Sequence, residues 1–498
     1  MPPQATALSA VMPPQQELPT TAMLTSGEED TAIRCLGVSL QDGCRCRHFI
    51  AFLSLSLVSI CLLVFMNAAN AFLLSTRYNV PTDQLGSRTS ELGVADELWS
   101  IATLGMWGVA SDKIGRARVV VLGLVQISAA LFLFPLGTAV YPTLLLFRLL
   151  FAQGAAAVTS MLTACLADYV ALQSMGRASG LMGLCSGLGA LIAVFVLIRL
   201  PERICVANTY FLVAGLCLAA ALLLGFGLRS RSSVDSQDDN PLHLMRRGLA
   251  IAATNPTIAY AYAAGFLARS GSVVISAFVS LWVTRYYLEL EDQSGDDVCS
   301  LNASVTADIL VTACAESFLD PDKALCRQAF TRSSILGGVV QTAALVAAPF
   351  VGFGIERADK VLATALAAGL GFVAYSSVGL VSDPTEGAGI LVVACLLGLA
   401  QISSIITSQA LVASQAPANL HGTVAGCFSL VGGVGVMVTT GVGGVLFDRW
   451  TPVAPFLISA LISAAVAAAG LRLFSRQRRR DDLIRKSIDA PLEEASRL

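Results

Sequence analysis

Gly108–Arg118 reads GVASDKIGRAR and separates two apolar runs. A stretch carrying Asp112, Lys113, Arg116 and Arg118 is too charged to lie in hydrocarbon, where each such side chain costs about 2.5–3.5 kcal/mol. Gly108 and Gly115 permit the sharp backbone turn that so short a connection needs. The stretch therefore reads as a charged hairpin capping two membrane helices on one side.

Composition agrees with that reading. The 498 residues are 55% hydrophobic and 13% charged, with a mean hydropathy of +0.71. A soluble domain of this length exposes too much surface to hide so much apolar material, so part of the solvent is the lipid bilayer. A helix crosses ~30 Å of hydrocarbon in roughly 20 residues. Twelve runs serve: near 49–74, 94–110, 119–139, 142–167, 178–199, 210–228, 256–284, 334–354, 361–382, 387–411, 423–446 and 453–474, the second being short. The expected fold is an all-α membrane protein with twelve transmembrane helices in two pseudo-symmetric six-helix bundles, 49–228 and 256–474. A polar, proline-rich tail (1–48) is expected to be disordered and lacks the apolar core of a secretory signal. A linker (229–255), a long loop (285–333) and a basic tail (475–498) complete the division.

Charge placement orients the chain. With both termini cytoplasmic, that side holds about twice as many Lys and Arg as the other, the run Arg476–Arg480 weighing most. The N-glycosylation sequon at Asn302 and the cysteines Cys205, Cys299, Cys314 and Cys326 then fall on the non-cytoplasmic side, where disulfides form, with three possible connectivities. Plasma membrane and endomembrane both suit this topology. Cys44 and Cys46 fall on the cytoplasmic side, where a free thiol pair is expected.

Several function classes drop out. A net charge of −2 offers nothing to nucleic acid. His48, His243 and His421 are far apart and make no metal set, and no cofactor motif occurs. The absence of G-x-x-x-x-G-K-(S/T) disfavours direct ATP drive, and the spans lack the clustered His, Asp or Glu that a membrane enzyme needs. A secondary carrier of a small solute, monomeric and not an enzyme, is what remains. A receptor or scaffold built on a carrier fold is the rival, and the intact Asp112 and Arg116 argue against it.

The two halves echo each other. Ala71-Phe72 with Thr76-Arg77-Tyr78 returns as Ala277-Phe278 with Thr284-Arg285-Tyr286. GVASDKIGR returns as GFGIERADK, Glu356 answering Asp112 and Arg357 answering Lys113. Gly180, Gly187 and Gly189 return as Gly426, Gly433 and Gly435. One duplicated six-helix unit with an inserted loop accounts for all three.

The hairpin also resembles the G-x-L-a-D-r-x-G-r-(k/r) loop between the second and third helices of the major facilitator superfamily, closest to its drug-and-proton carriers. Gly108, Asp112, Lys113, Gly115, Arg116 and Arg118 fall on that pattern. The resemblance implies two bundles rocking about a site near the membrane midplane. It also implies a latch on the cytoplasmic face, with Asp112 at a helix N-terminus of the other half and Arg116 and Arg118 on nearby carboxylates or carbonyls. In the fourth span, FRLLFAQGAAA is similar to the superfamily's R-x-x-q-G-x-g-a-a, with Gln153 displaced by two positions. The fifth span has the glycines of the antiporter motif but not its proline, which leaves symport or facilitated diffusion open.

Ionisable groups inside spans are costly and mark function. Glu97, Arg148 and Arg269 are the candidates. Glu97 and Arg148 lie at similar depth and are expected to interact, with Glu97 either a proton-coupling carboxylate or half of a fixed bridge. In the superfamily the spans of Arg148 and Arg269 line the cavity, so two guanidiniums would suit an organic anion. Asn67, Asn70, Gln341 and Gln401 are further lining candidates, equally able to bind solute or to tie helices together.

Overall fold

The computed structural model describes residues 34–41, 43–78, 80–171, 174–204, 206–229, 241–292, 324–381, 383–384, 387–415 and 421–495. Twelve long helices run through them. The first six are α1 (Cys46–Thr76), α2 (Leu85–Ile114), α3 (Arg116–Leu133), α4 (Leu145–Tyr169), α5 (Met175–Ile192) and α6 (Val206–Gly227). Then come α7 (Pro256–Val273, continuing through a wider turn at Val274–Phe278 into Val279–Asp292), α8 (Ala324–Arg357) and α9 (Lys360–Val378). The last three are α10 (Ala388–Gln415), α11 (His421–Arg449) and α12 (Ala454–Ala495).

Local chemistry fixes several boundaries. Gly115 adopts φ +91°, a conformation that side chains disfavour, and this lets α2 turn directly into α3. Asn255 accepts from the amides of Thr257 and Ile258 with Pro256 at the first helical position, so α7 starts there. The Asp359 side chain caps α9 through the amide of Leu362. Among the described residues, eleven helices are long and apolar enough to span a membrane, and of the twelve long helices α2 falls short. It carries Arg88 and Glu91, exposed and paired with each other near its start, and Asp96 and Glu97, tolerable because α4 covers one of its faces and α11 another. The run expected at 94–110 is thus a helix of 30 residues, Leu85–Ile114.

Two sequence expectations need amending. Within the tail taken as disordered, Arg34–Cys35 and Val38–Ser39 form an antiparallel hairpin, while residues 1–33 lie outside the described residues. Cys46 is not a free thiol: it is disulfide-bonded to Cys35, leaving Cys44 free and buried. The linker contains a helix, Pro241–Thr254, and the basic tail continues α12 without a break. Cys205, Cys299, Asn302 and Cys314 lie outside the described residues, as does the side chain of Cys326.

Within a bundle, helices meet over small residues. A Cβ added at Gly123 of α3 would come within 2.8 Å of the Gly154 carbonyl of α4, so these backbones touch through glycine. Between bundles, contact among the described residues concentrates at one end. Spans that alternate in direction bring both termini to one end of the molecule; we call the other the far end. There α2 packs on α11, with a Cβ at Gly86 falling 2.9 Å from the Gly444 carbonyl and one at Gly93 falling 3.1 Å from Thr440. On the other side of the molecule α5 packs on α8, where Gly337 faces Val194 and Arg199 donates to the Ser334 hydroxyl at 2.8 Å.

Toward the termini the bundles part. Gly180 and Gly183 share the α5 face of Gly187, and Gly426 lies two turns from Gly433 on α11. A Cβ at Gly187 would meet Leu345 and one at Gly433 would meet Glu97. At Gly180, Gly183, Gly352 and Gly426 it would meet nothing within 4 Å. Among the described residues the bundles touch at the far end and part toward the termini.

Candidate functional site between the bundles

At 100° per residue, Asp96 and Glu97 of α2 must face different neighbours. Thr89, Asp96, Ser100, Thr103 and Trp107 form one stripe, turned into the N-terminal bundle. Asp96 accepts two hydrogen bonds from Arg148 of α4, from Nε at 2.9 Å and from Nη2, and Ser100 and Trp107 donate to the Ala152 and Gln153 carbonyls. Arg148 is almost fully buried and also donates to Asn70 Oδ1 at 2.6 Å, while Asn70 donates to Thr89. The partner of Arg148 is therefore Asp96, not Glu97 as the similar depth of the two suggested. Asn70 is absorbed into the same network, and Gln153 is engaged through its carbonyl.

Gly86, Ser90, Gly93, Glu97 and Ile101 make the second stripe, facing α11 and the opposite bundle. Glu97 lies roughly 18 Å into α2, near the middle of that helix. Its carboxylate stands 3.9 Å from Arg269 Nη2 of α7, a pairing across the two halves. Glu97 is mostly covered, but the Arg269 side chain is 49% exposed, so this pair is loose and solvent-facing where Arg148–Asp96 is tight. Gly432 and Gly433 form its floor: a Cβ at Gly433 would lie 2.5 Å from Glu97 Oε1, and one at Gly432 would strike the Arg269 stem. The two arginines thus do not face one cavity together.

Other candidates knit the halves at the far end. Asn67 Nδ2 lies 3.5 Å from Ser276 Oγ of α7, and Ser280 donates to the Ala68 carbonyl at 2.9 Å. Gln341, Ser276, Ser280 and Ser333 line a pocket of about 20 Å³, room for one water. Gln401 Oε1 is buried with no hydrogen-bond donor among the described residues.

At the hairpin, Arg116 reaches the Asp168 carboxylate and the Ala164 carbonyl of α4, each at 2.5 Å, and Arg118 donates to the Ile114 carbonyl at 3.3 Å. Both arginines bond within their own bundle, and Lys113 and Arg357 are exposed. The side chains of Asp112 and Glu356 lie outside the described residues.

Asp96, Asp168 and Asp448 escaped sequence reasoning altogether. Asp448, at the end of α11, accepts from the amides of Gly86 at 2.9 Å and Ser87 at 2.5 Å in the first turn of α2. Arg285 of α7 stands 3.6 Å from the same carboxylate, which is only 5% exposed. A carboxylate on a helix N-terminus is favoured by free N–H groups and by the dipole, and this one joins the two bundles. The available signal was Asp448 at the end of an apolar run beside Arg449. Because Gly86 and Gly444 have no room for a side chain here, Gly86→Ala or Gly444→Ala is expected to wedge the far end open. Increased alkylation of a cysteine placed at Thr440 would register it; unchanged labelling would refute it.

The profile of the Major Facilitator Superfamily matches residues 48–440 and 329–497. The chain is 24% identical over 436 residues to magnetosome protein MamH of Paramagnetospirillum magneticum (strain AMB-1), covering 86% of this chain and 93% of that one. It is 25% identical over 401 residues to magnetosome protein MamZ of the same organism, covering 78% of this chain and 56% of MamZ, so it spans about half of MamZ's length. Among solved structures, a point mutant of the nucleoside transporter NupG shares the fold with a TM-score of 0.62 at 14% identity, over 86% of this chain and 99% of that one. A POT family transporter in complex with 5-aminolevulinic acid gives 0.61 at 13% identity, over 86% and 96%. With two helical bundles in contact at one end, a charged hairpin at the other and a family profile running along the chain, this protein belongs to the Major Facilitator Superfamily.

Proposed function

We propose that the chain is a secondary carrier that moves a small organic anion by alternating access, coupled to protons at Glu97. The observation that carries this reading is the Glu97–Arg269 pair: one charge from each bundle, near the middle of α2, on the floor of the opening. A half-exposed guanidinium can exchange its internal carboxylate for that of a solute, gripping it bidentately. Glu97, once released, becomes free to take a proton from the water of the open end. Neutralising both charges removes the attraction of the solvated ions for water and lets the bundles close over the solute. Arg148, buried and satisfied by Asp96 and Asn70, stays structural. The hairpin Gly108–Arg118 acts as the latch of the opposite state, released here, with both termini cytoplasmic.

A panel of anionic solutes in proteoliposomes, with and without an imposed pH gradient, tests this. Arg269→Ala is expected to lower anion flux at least tenfold, and Glu97→Gln to leave exchange intact while abolishing its response to the gradient. Parental flux in Arg269→Ala together with an unaltered pH response in Glu97→Gln would reject both assignments.

A further inference from the structure

We infer that the Cys35–Cys46 pair is a thiol–disulfide switch governing whether the N-terminal hairpin braces the turn on which the gating arginine Arg116 is anchored. The hairpin is too small to hold itself: its strands are two residues each, and its buried apolar groups are Cys35, Val38, Leu40 and, just beyond, Cys44. Leu36 at its tip has φ +53° and is largely exposed. What fastens it at one edge is the disulfide to the first residue of α1, closing a loop with a sequence separation of 11.

At its other edge it lies against the connection between α4 and α5. Leu40 bridges Val170, Gln41 N–H donates to the Tyr169 carbonyl at 3.0 Å, and Ala171 N–H donates to the Ser39 carbonyl at 3.1 Å. Ser39 N–H donates to the Ser174 hydroxyl at 3.1 Å, and Arg177 donates to the Gly37 carbonyl at 3.3 Å. That same connection begins at Asp168, which receives Arg116, and Tyr169, whose hydroxyl donates to the Arg229 carbonyl at 2.8 Å and accepts from the Arg229 amide at 3.0 Å. Hairpin, gating loop and linker therefore meet within two residues. Fixing the hairpin stiffens the anchor of Arg116; freeing it removes four hydrogen bonds from that anchor's neighbour.

The location makes the bond switchable. It lies at the end of the termini, which the proposed orientation places in the compartment where thiols are kept reduced and disulfides persist only transiently. An external dithiol attacks one sulfur, forms a mixed disulfide and leaves as its own disulfide; Cys35 and Cys46 take the two electrons and two protons as thiols. The inference rests on the proposed orientation but not on the solute, and its test needs no transport.

Hydrogen exchange of the full chain in nanodiscs, oxidised and after treatment with dithiothreitol, is the measurement. Reduction is expected to speed exchange at Gln41 and Ala171 and in peptides over 34–45 and 168–177 at least tenfold, with a smaller rise over 111–118. Cys35→Ser should show the fast pattern without reductant and no further response to it. Maleimide labelling mapped by peptide should place adducts on Cys35 and Cys46 only after reduction of the parent. Unchanged exchange over 168–177 on reduction, or adducts on both Cys35 and Cys46 before dithiothreitol, would overturn the inference.

Discussion

Asp448→Ala is expected to unseal the far end of the molecule. In the parent, one carboxylate satisfies two free amides of α2 across the bundle interface and balances Arg285 of its own bundle. Hydrogen bonds to a charged group contribute about 1.5–3 kcal/mol each, and the helix dipole adds to them. Water recovers part of that once the end opens, so the net loss should be about 1.5–3 kcal/mol, or roughly 10- to 100-fold in the ratio of conformers. Spin labels at Asp83 and Trp450, both exposed, report the separation. A second, longer distance population is expected in Asp448→Ala. A distribution identical to the parent's would show that apolar packing alone holds this end shut.

The second large effect concerns folding. Asp96→Ala or Arg148→Ala leaves one buried charge without its partner, which typically costs about 3–5 kcal/mol. Replacing both by apolar residues, as in Asp96→Leu with Arg148→Met, is expected to recover most of that, because neither desolvated ion is left behind. Thermal melting in detergent should show both single variants falling well below the parent and the double variant rising back toward it. Arg269→Ala provides the contrast: its side chain is half exposed and its partner stands 3.9 Å away, so melting should move little. A double variant as damaged as the sum of the singles would mean that the network of Asn70 and Thr89, rather than the charge pair, holds α2 to α4.

Which carboxylate serves which role shows where sequence reasoning ran out. Depth along the chain made Glu97 and Arg148 look like partners, since both lie in neighbouring spans at the same height. Depth carries no azimuth. A correct helical phase for α2 separates Asp96 from Glu97 by 100°, and that rotation sends one into its own bundle and the other across to Arg269. The phase could have been read from the stripe Gly86, Ser90, Gly93, Glu97 and Ile101, but only with the helix extended back to Leu85, beyond the apolar run. Two of the charges that made α2 look short, Asp96 and Glu97, are those it presents to other helices. Asp448 and the Cys35–Cys46 bond were illegible for a related reason, since their partners are backbone amides and a distant segment.

By itself the sequence determined the solvent, the all-helical membrane fold and the charged hairpin, because hydrocarbon thickness and the exclusion of charge act on local stretches of chain. Only the tertiary structure decided which charges meet, at which end the bundles touch and which arginine stays open to solvent. Those outcomes depend on the rotation of each helix about its axis and on the relative tilt of two bundles, neither of which any single stretch of chain specifies.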